Sequence, residues 1–262
     1  EMELARKLYS KMRSVILYDD IIGIDKKWLA EFCDTYAKRI GLPWFTSIRV
    51  DLINDLMAGQ LARAKCFCLS IGVETGDEDL RQKVLGKRIL NTQYIKAAQM
   101  LRKVGIKIRT SNMLFLPGED FQKALKTIDL NREMKVDFSW AYTLQPYPGT
   151  DIYDYAVKNG YLSASFQFDD IDPLGLLKPI VTVKDKRKML VLHRLFHCSV
   201  HSKIMRRFLK VFVLFPPNPL FDLLYSFSLI HSYAEYHQVS FSRAIRVAWN
   251  NYWSTKKRVY RK

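Results

Sequence analysis

The sequence predicts an α/β protein: a partial (β/α) barrel of parallel strands, its first strand missing, followed by an α-helical carboxyl-terminal extension. Three observations carry this. Short β-type runs alternate strictly with helix-period runs through the first 160 residues, the pattern of parallel strands joined by helices. Several of those runs end in polar residues and glycine, as at Ser70-Ile71-Gly72-Val73-Glu74-Thr75-Gly76, and in parallel sheets the carboxyl ends of strands hold ligands. The charge is asymmetric: from Lys184 onward sixteen Lys/Arg face three acids, so thirteen of the sixteen net positive charges lie in the last 79 residues.

The elements follow in order. Ser14–Tyr18 is a short strand. A helix runs through Trp28, Leu29, Phe32, Tyr36 and Ile40 and stops at Gly41-Leu42-Pro43. Phe45–Val50 is a strand and Leu52–Ala64 a helix. Cys66–Val73 is the next strand, with helices over Asp79–Leu85 and Asn91–Val104, Asn91 being the cap. Ile106–Phe115 and Phe138–Leu144 complete five strands, with helices over Phe121–Lys135 and Thr150–Lys158. This sets a boundary between residues 1–162 and a basic, aromatic-rich extension over 163–262. Ser163–Lys178 reads as loop, then a long helix spans Asp185 to Phe212. Pro216-Pro217-Asn218-Pro219 interrupts it, and helices over Leu220–Tyr236 and Ser240–Trp253 follow.

Composition narrows the class. Apolar residues make up 48%, ample for a core, and no apolar run reaches the roughly 18–20 residues of a membrane span. Four cysteines, Cys33, Cys66, Cys68 and Cys198, are too few and scattered for a disulfide framework, which suits a reducing cytoplasm. Cys66, Cys68, Ser70, Gly72 and Glu74 share one strand face by the period of two, and the two thiols read as small core residues. His193, His197 and His201 recur at helical spacing; paired imidazoles can bind zinc, but no carboxylate stands nearby and a packing face is the better reading. The chain opens on Glu1-Met2-Glu3-Leu4, as if inside a helix and without an initiator methionine.

Six segments in series resemble the radical S-adenosylmethionine (SAM) superfamily, in particular its branch with a cobalamin-binding domain: Tyr18-Asp19-Asp20, Ile48–Asp51, Ile71–Gly76, Arg81–Leu85, Asn112–Glu119 and Pro146–Thr150. The resemblance covers about residues 1–162. It implies SAM as cofactor, bound by Asp19, Asp20, Glu74, Arg81, Asn112, Leu116, Pro117 and Gln145. Glu74 would meet the ribose hydroxyls or amino group, Asp19 and Asp20 the methionyl ammonium, and Arg81 the carboxylate. Each has a plainer alternative: Glu74 as a helix N-terminal acid, Asp19 and Asp20 as a turn, Arg81 in an exposed ion pair with Asp77 or Glu78, Gln145 within a turn. Phe115 stands where the family usually has Gly.

The resemblance also implies a [4Fe–4S] cluster held by Cys-x-x-x-Cys-x-x-Cys, whose electron cleaves SAM to a 5′-deoxyadenosyl radical, and cobalamin-dependent methyl transfer to a small-molecule or lipid-like substrate. This chain has no such cysteine loop, so the reading places the loop and the cobalamin domain upstream. The rival reading is a degenerate, non-catalytic barrel that binds a nucleoside or docks on a partner. For the extension, a helical cap over the barrel ranks first, contact with an anionic membrane surface second, and nucleic acid last, since no nucleic-acid motif is present.

Overall fold

The computed structural model describes residues 1–19, 21–171 and 179–259, with side chains to residue 250. Five strands, β1 (Val15–Leu17), β2 (Trp44–Ile48), β3 (Cys66–Glu74), β4 (Lys107–Leu114) and β5 (Phe138–Thr143), form one sheet in chain order, every neighbouring pair parallel. Helix α1 (Met2–Leu8) precedes them. The crossovers carry α2 (Lys26–Arg39), α3 (Asp55–Arg63), α4 (Glu78–Lys83), α5 (Asn91–Lys103) and α6 (Phe121–Met134), and α7 (Asp151–Lys158) follows β5. The predicted α/β architecture is the observed one.

Side-chain oxygens start most of these helices. Asp25, Asn54, Asp77 and Asp120 accept from backbone N–H groups two or three residues on, satisfying donors that a helix start leaves open. The expected cap at Asn91 is not one. Leu90 holds that position, its N–H donating to Gln93 Oε1 at 2.9 Å, while Asn91 turns its side chain back to Gly76 and Arg81.

One predicted face is also corrected. A register shift between Trp44 and Phe45 sets Trp44 opposite Cys66 and Phe45 opposite Cys68, so Phe67 is an extra residue. The bulge sends the two thiols to different layers: Cys66 joins the core between sheet and helices, and Cys68 packs with Phe45 and Phe138 on the other face.

In the extension the long predicted helix is two, α8 (Lys186–His201) and α9 (Lys203–Phe212). Ser202 is extended (φ −116°, ψ 123°) and its hydroxyl accepts from Met205 N–H, which ends one helix and begins the next. α10 (Pro219–Tyr236), capped by Asn218, and α11 (Phe241–Val259) follow. Of the predicted 163–178 loop, residues 172–178 lie outside the described residues.

The extension packs on the barrel. Met189, Leu192, Leu195 and Phe196 of α8 belong to the same core as the sheet and its helices. His193 Nε2 meets Ala141 O at 3.0 Å and Ser139 Oγ lies 3.2 Å from His197 Nδ1 and 3.3 Å from His201 Nε2, so the imidazole face lies against β5 as packing. Burial pulls the pKa of His193 and of His201 down to about 4. Tyr236 of α10 packs at a tilt 4.2 Å from Phe45 and edge-on 5.7 Å from Phe138, filling the inner face of the sheet at its amino-terminal end.

Candidate ligand cleft at the strand ends

A cleft of about 810 Å³ opens at the carboxyl ends of β3, β4 and β5. Its walls include Glu74, Ser111, Met113, Tyr142, Gln145 and Tyr155. That volume lies within the roughly 300–1,000 Å³ of small-molecule sites.

Glu74 is a charged acceptor of this wall, with Asp151 elsewhere in the lining, and the backbone strains to place Glu74 there. A second register irregularity, between Gly72 and Glu74, leaves Val73 unpaired, and Glu74 is left-handed at φ +63°. Such geometry in a non-glycine residue costs of order 1–3 kcal/mol and persists where surrounding structure imposes it. One carboxylate oxygen accepts from Lys87 Nζ at 2.7 Å; the other has no hydrogen bond among the described residues.

Both glycines of the segment have steric reasons. A Cβ on Gly72 would lie 2.5 Å from Glu74 Oε1, so only glycine lets the carboxylate fold back over the strand. A Cβ on Gly76 would strike the backbone carbonyl of Lys126, so glycine there lets the β3–α4 turn dock on α6. That docking is bonded as well: Gly76 N–H donates to Thr127 Oγ1 at 2.8 Å, and Asp77 pairs with Lys126 at 2.7 Å. The helix-start acid is thus Asp77, not Glu74.

The other predicted residues divide. Gln145 lines the cleft, its Nε2 donating to Thr143 Oγ1 at 3.1 Å. Asn112 reaches the cleft wall, but its side chain is fully buried and committed elsewhere. It accepts from Asn131 Nδ2 at 2.8 Å and donates to Trp140 O at 2.9 Å, while Thr110 donates to Asn131 at 2.5 Å. The side chains offered to a ligand on β4 are its neighbours Ser111 and Met113, one step out of phase with the expected residue.

Arg81 does not line the cleft. It is fully buried, donates to Thr75 O, to Ile89 O at 2.7 Å and to Asn91 Oδ1 at 2.7 Å, and stacks 4.7 Å over Tyr94. The exposed ion pair with Asp77 or Glu78 is therefore corrected: Arg81 is a strut that ties the β3–α4 turn to α5. Leu116 and Pro117 are buried and also stand off the cleft. Phe115 is left-handed at φ +64°, which accounts for glycine as the usual residue. Its ring turns into the core against His193, leaving the cleft clear of its bulk. Asp19 is exposed and, among the described residues, makes only a local turn bond from Ile21 N–H at 3.3 Å. Asp20 lies outside the described residues.

Sequence reasoning missed Lys87, Ser111, Met113, Tyr142 and Tyr155. Alternation along β4 and β5 marks Ser111, Met113 and Tyr142, once Gly72 is paired with Ser111 and Met113 with Tyr142. Lys87 follows a left-handed Gly86 in a turn and carries no periodic signal.

A second carboxylate is used differently. Glu119 is 1% exposed; its Oε2 accepts from Leu116 N–H at 3.1 Å and closes the turn after β4. Burial pushes its pKa up to about 8, against the opposing pull of the Leu116 and Phe115 N–H groups and of the Lys123 charge.

The described thiols do not fit an iron–sulfur cluster. Cys33, Cys66 and Cys68 are buried, and among the described residues no three His, Cys, Asp or Glu are grouped to hold a metal. Burial raises all three thiols, Cys33 to about 11 and Cys68 to about 12, away from the thiolate form that ligation requires.

The structure defines an α/β half-barrel of parallel strands with a charged acceptor at a strand-end cleft. Residues 24–130 match the model of the radical SAM superfamily. The chain is similar to the uncharacterized methyltransferase PH0819 of Pyrococcus horikoshii, 26% identical over 171 residues, 64% of this chain and 37% of that protein. Its fold is similar to that of the radical SAM methyltransferase TsrM from Kitasatospora setae, solved with cobalamin and a [4Fe-4S] cluster (TM-score 0.55, 16% identity, 69% of this chain and 37% of that one). It is likewise similar to OxsB, a cobalamin-dependent SAM radical enzyme (TM-score 0.56, 15% identity, 88% of this chain and 40% of that one). The chain thus spans little more than a third of the length of these relatives.

Proposed function

We propose that this chain is the SAM-binding part of a radical SAM methyltransferase, with the [4Fe–4S] cluster and cobalamin held by residues outside this sequence. The observation that supports it best is Glu74: a carboxylate held at the end of a central parallel strand in left-handed geometry, at the wall of a cleft of ligand size. Lys87 fixes one oxygen and leaves the other to accept from a ribose hydroxyl or an ammonium. Ser111 and Gln145 add polar contacts, while Met113, Tyr142 and Tyr155 supply apolar wall for an adenine or a substrate. SAM, when bound, supplies the methyl group or the deoxyadenosyl group. The chain's own residues bind it, orient it and keep water out.

Because the described thiols offer no cluster site, this chain alone is expected to bind SAM without turnover. The same thiols favour a second reading, a nucleoside-binding module without catalysis. Equilibrium dialysis with radiolabelled SAM tests the shared claim: saturable one-site binding, displaced by S-adenosylhomocysteine, is expected, and no saturable binding would overturn it. Methyl transfer from SAM by a form of the protein that includes the cluster ligands separates the two readings.

A further inference from the structure

The barrel's charges are largely matched, but the extension is not. Helix α9, Lys203-Ile204-Met205-Arg206-Arg207-Phe208-Leu209-Lys210-Val211-Phe212, has apolar residues on more of its circumference than the described residues cover. Met205, Leu209 and Phe212 turn toward the core. Ile204, Phe208 and Val211, at i, i+4 and i+7, share an adjoining strip that stays open, Ile204 being 70% and Phe208 47% exposed. The turn after the helix continues it with Leu214, 64% exposed, and Phe215, 55% exposed. Isolated exposed apolar residues are ordinary, but five along one helix and its turn are not.

The charge beside this strip selects its occupant. Lys203, Arg207 and Lys210 border the exposed strip, are exposed, and have no acidic partner among the described residues. Arg206, by contrast, anchors the helix through a two-bond pair with Asp129 of α6 at 2.6 and 2.7 Å, and Arg132 of α6 donates to Ser199 O and Val200 O just before α9 begins. The helix is therefore fixed to the barrel on one side and offers an apolar strip with a cationic edge on the other. No described helix is long and apolar enough to span a bilayer, so contact would be interfacial.

We infer that α9 and the turn to Phe215 form an anionic-lipid docking surface, with Ile204, Phe208, Val211, Leu214 and Phe215 entering the headgroup–acyl boundary and Lys203, Arg207 and Lys210 facing the phosphates. Each cation is drawn to an anionic surface, and the apolar strip supplies burial that survives salt. Such a surface would set the half-barrel at the membrane and favour a lipid-like substrate for the same protein. The inference does not depend on SAM binding.

The test is co-sedimentation of this chain with vesicles of phosphatidylcholine alone or mixed with phosphatidylglycerol. Binding to the anionic vesicles, weakened by salt, is expected. Two variants with wild-type melting curves should each lower the partition coefficient at least tenfold: Ile204→Ser/Phe208→Ser, and Lys203→Glu/Arg207→Glu/Lys210→Glu. Several outcomes overturn the inference: no vesicle binding, equal binding to both vesicle types, or variants that bind as the wild type does. So does a concentration-dependent dimer abolished by Ile204→Ser/Phe208→Ser, which would assign the strip to a second copy of the chain. Retention of SAM binding in both variants keeps this test separate from the cofactor reading.

Discussion

Glu74 and Glu119 are both buried carboxylates beside neighbouring strand ends, yet the molecule uses them in opposite ways. Glu74 has a cation at 2.7 Å, a second oxygen with no hydrogen bond among the described residues, and a cleft in front of it. Glu119 has no ion pair among the described residues, accepts from Leu116 N–H, and is sealed in the turn that carries Pro117. The first is built to meet a ligand and the second to hold a loop. Neighbours, not residue type, make the difference.

The largest effect that would sharpen this comparison is steric. Gly76→Ala drives a methyl into the carbonyl of Lys126, and the β3–α4 turn cannot stay docked. Overpacking of this kind costs about 3 kcal/mol or more where backbone is struck, and thermal denaturation should show it. A Gly76→Ala protein as stable as wild type would mean the turn can leave α6 freely, and the cleft wall would lose its fixed frame.

Next is pH. Glu119 has a folded pKa near 8 against an ordinary 4.5, so its contribution to stability is complete below the ordinary value and lost as pH rises through about 8. Glu119→Gln should remove that alkaline decline, on the order of a few kcal/mol between about pH 5 and pH 9. His193 and His201, lowered to about 4 from 6.5, act in the other direction: their contribution is present above 6.5 and lost as pH falls through about 4. Urea denaturation across pH, with His193→Gln beside Glu119→Gln, separates the two limbs. An unchanged alkaline limb in Glu119→Gln would show that Glu119 is already ionised.

The smallest effect concerns Asp19, the strand-end acid at the sheet's edge. It is exposed and, among the described residues, bonded only within its own turn, so Asp19→Ala should change stability by no more than about 0.5 kcal/mol and leave SAM binding by this chain as it is. A tenfold loss of affinity would bring the β1 end into the site.

The sheet was legible because each strand carries a short β-type run with turn residues at both ends, and because five such runs alternate with helices. Glu74 was legible because Gly72-x-Glu74-x-Gly76 marks a strand end where side chains must be small. Bulges hid the rest. The extra residue at Phe67 parted Cys66 from Cys68, and the irregularity at Val73 put Ser111 and Met113, not the side chain of Asn112, toward the cleft. Arg81 was out of reach for another reason: its carbonyl and amide acceptors, Thr75, Ile89 and Asn91, converge only after two helices have packed. Ser202 broke a helix that the 3.6-residue period alone would continue.

The central claim is that Glu74 is the ligand-facing carboxylate of this pair. It is tested most directly by measuring SAM affinity of folded Glu74→Gln and Glu119→Gln proteins side by side, by isothermal titration calorimetry. The account predicts that Glu74→Gln weakens binding by about 1.5–3 kcal/mol, the scale of a hydrogen bond to a charged group, while Glu119→Gln binds as the wild type does. Equal affinities in wild type and Glu74→Gln, or a loss confined to Glu119→Gln, would contradict it.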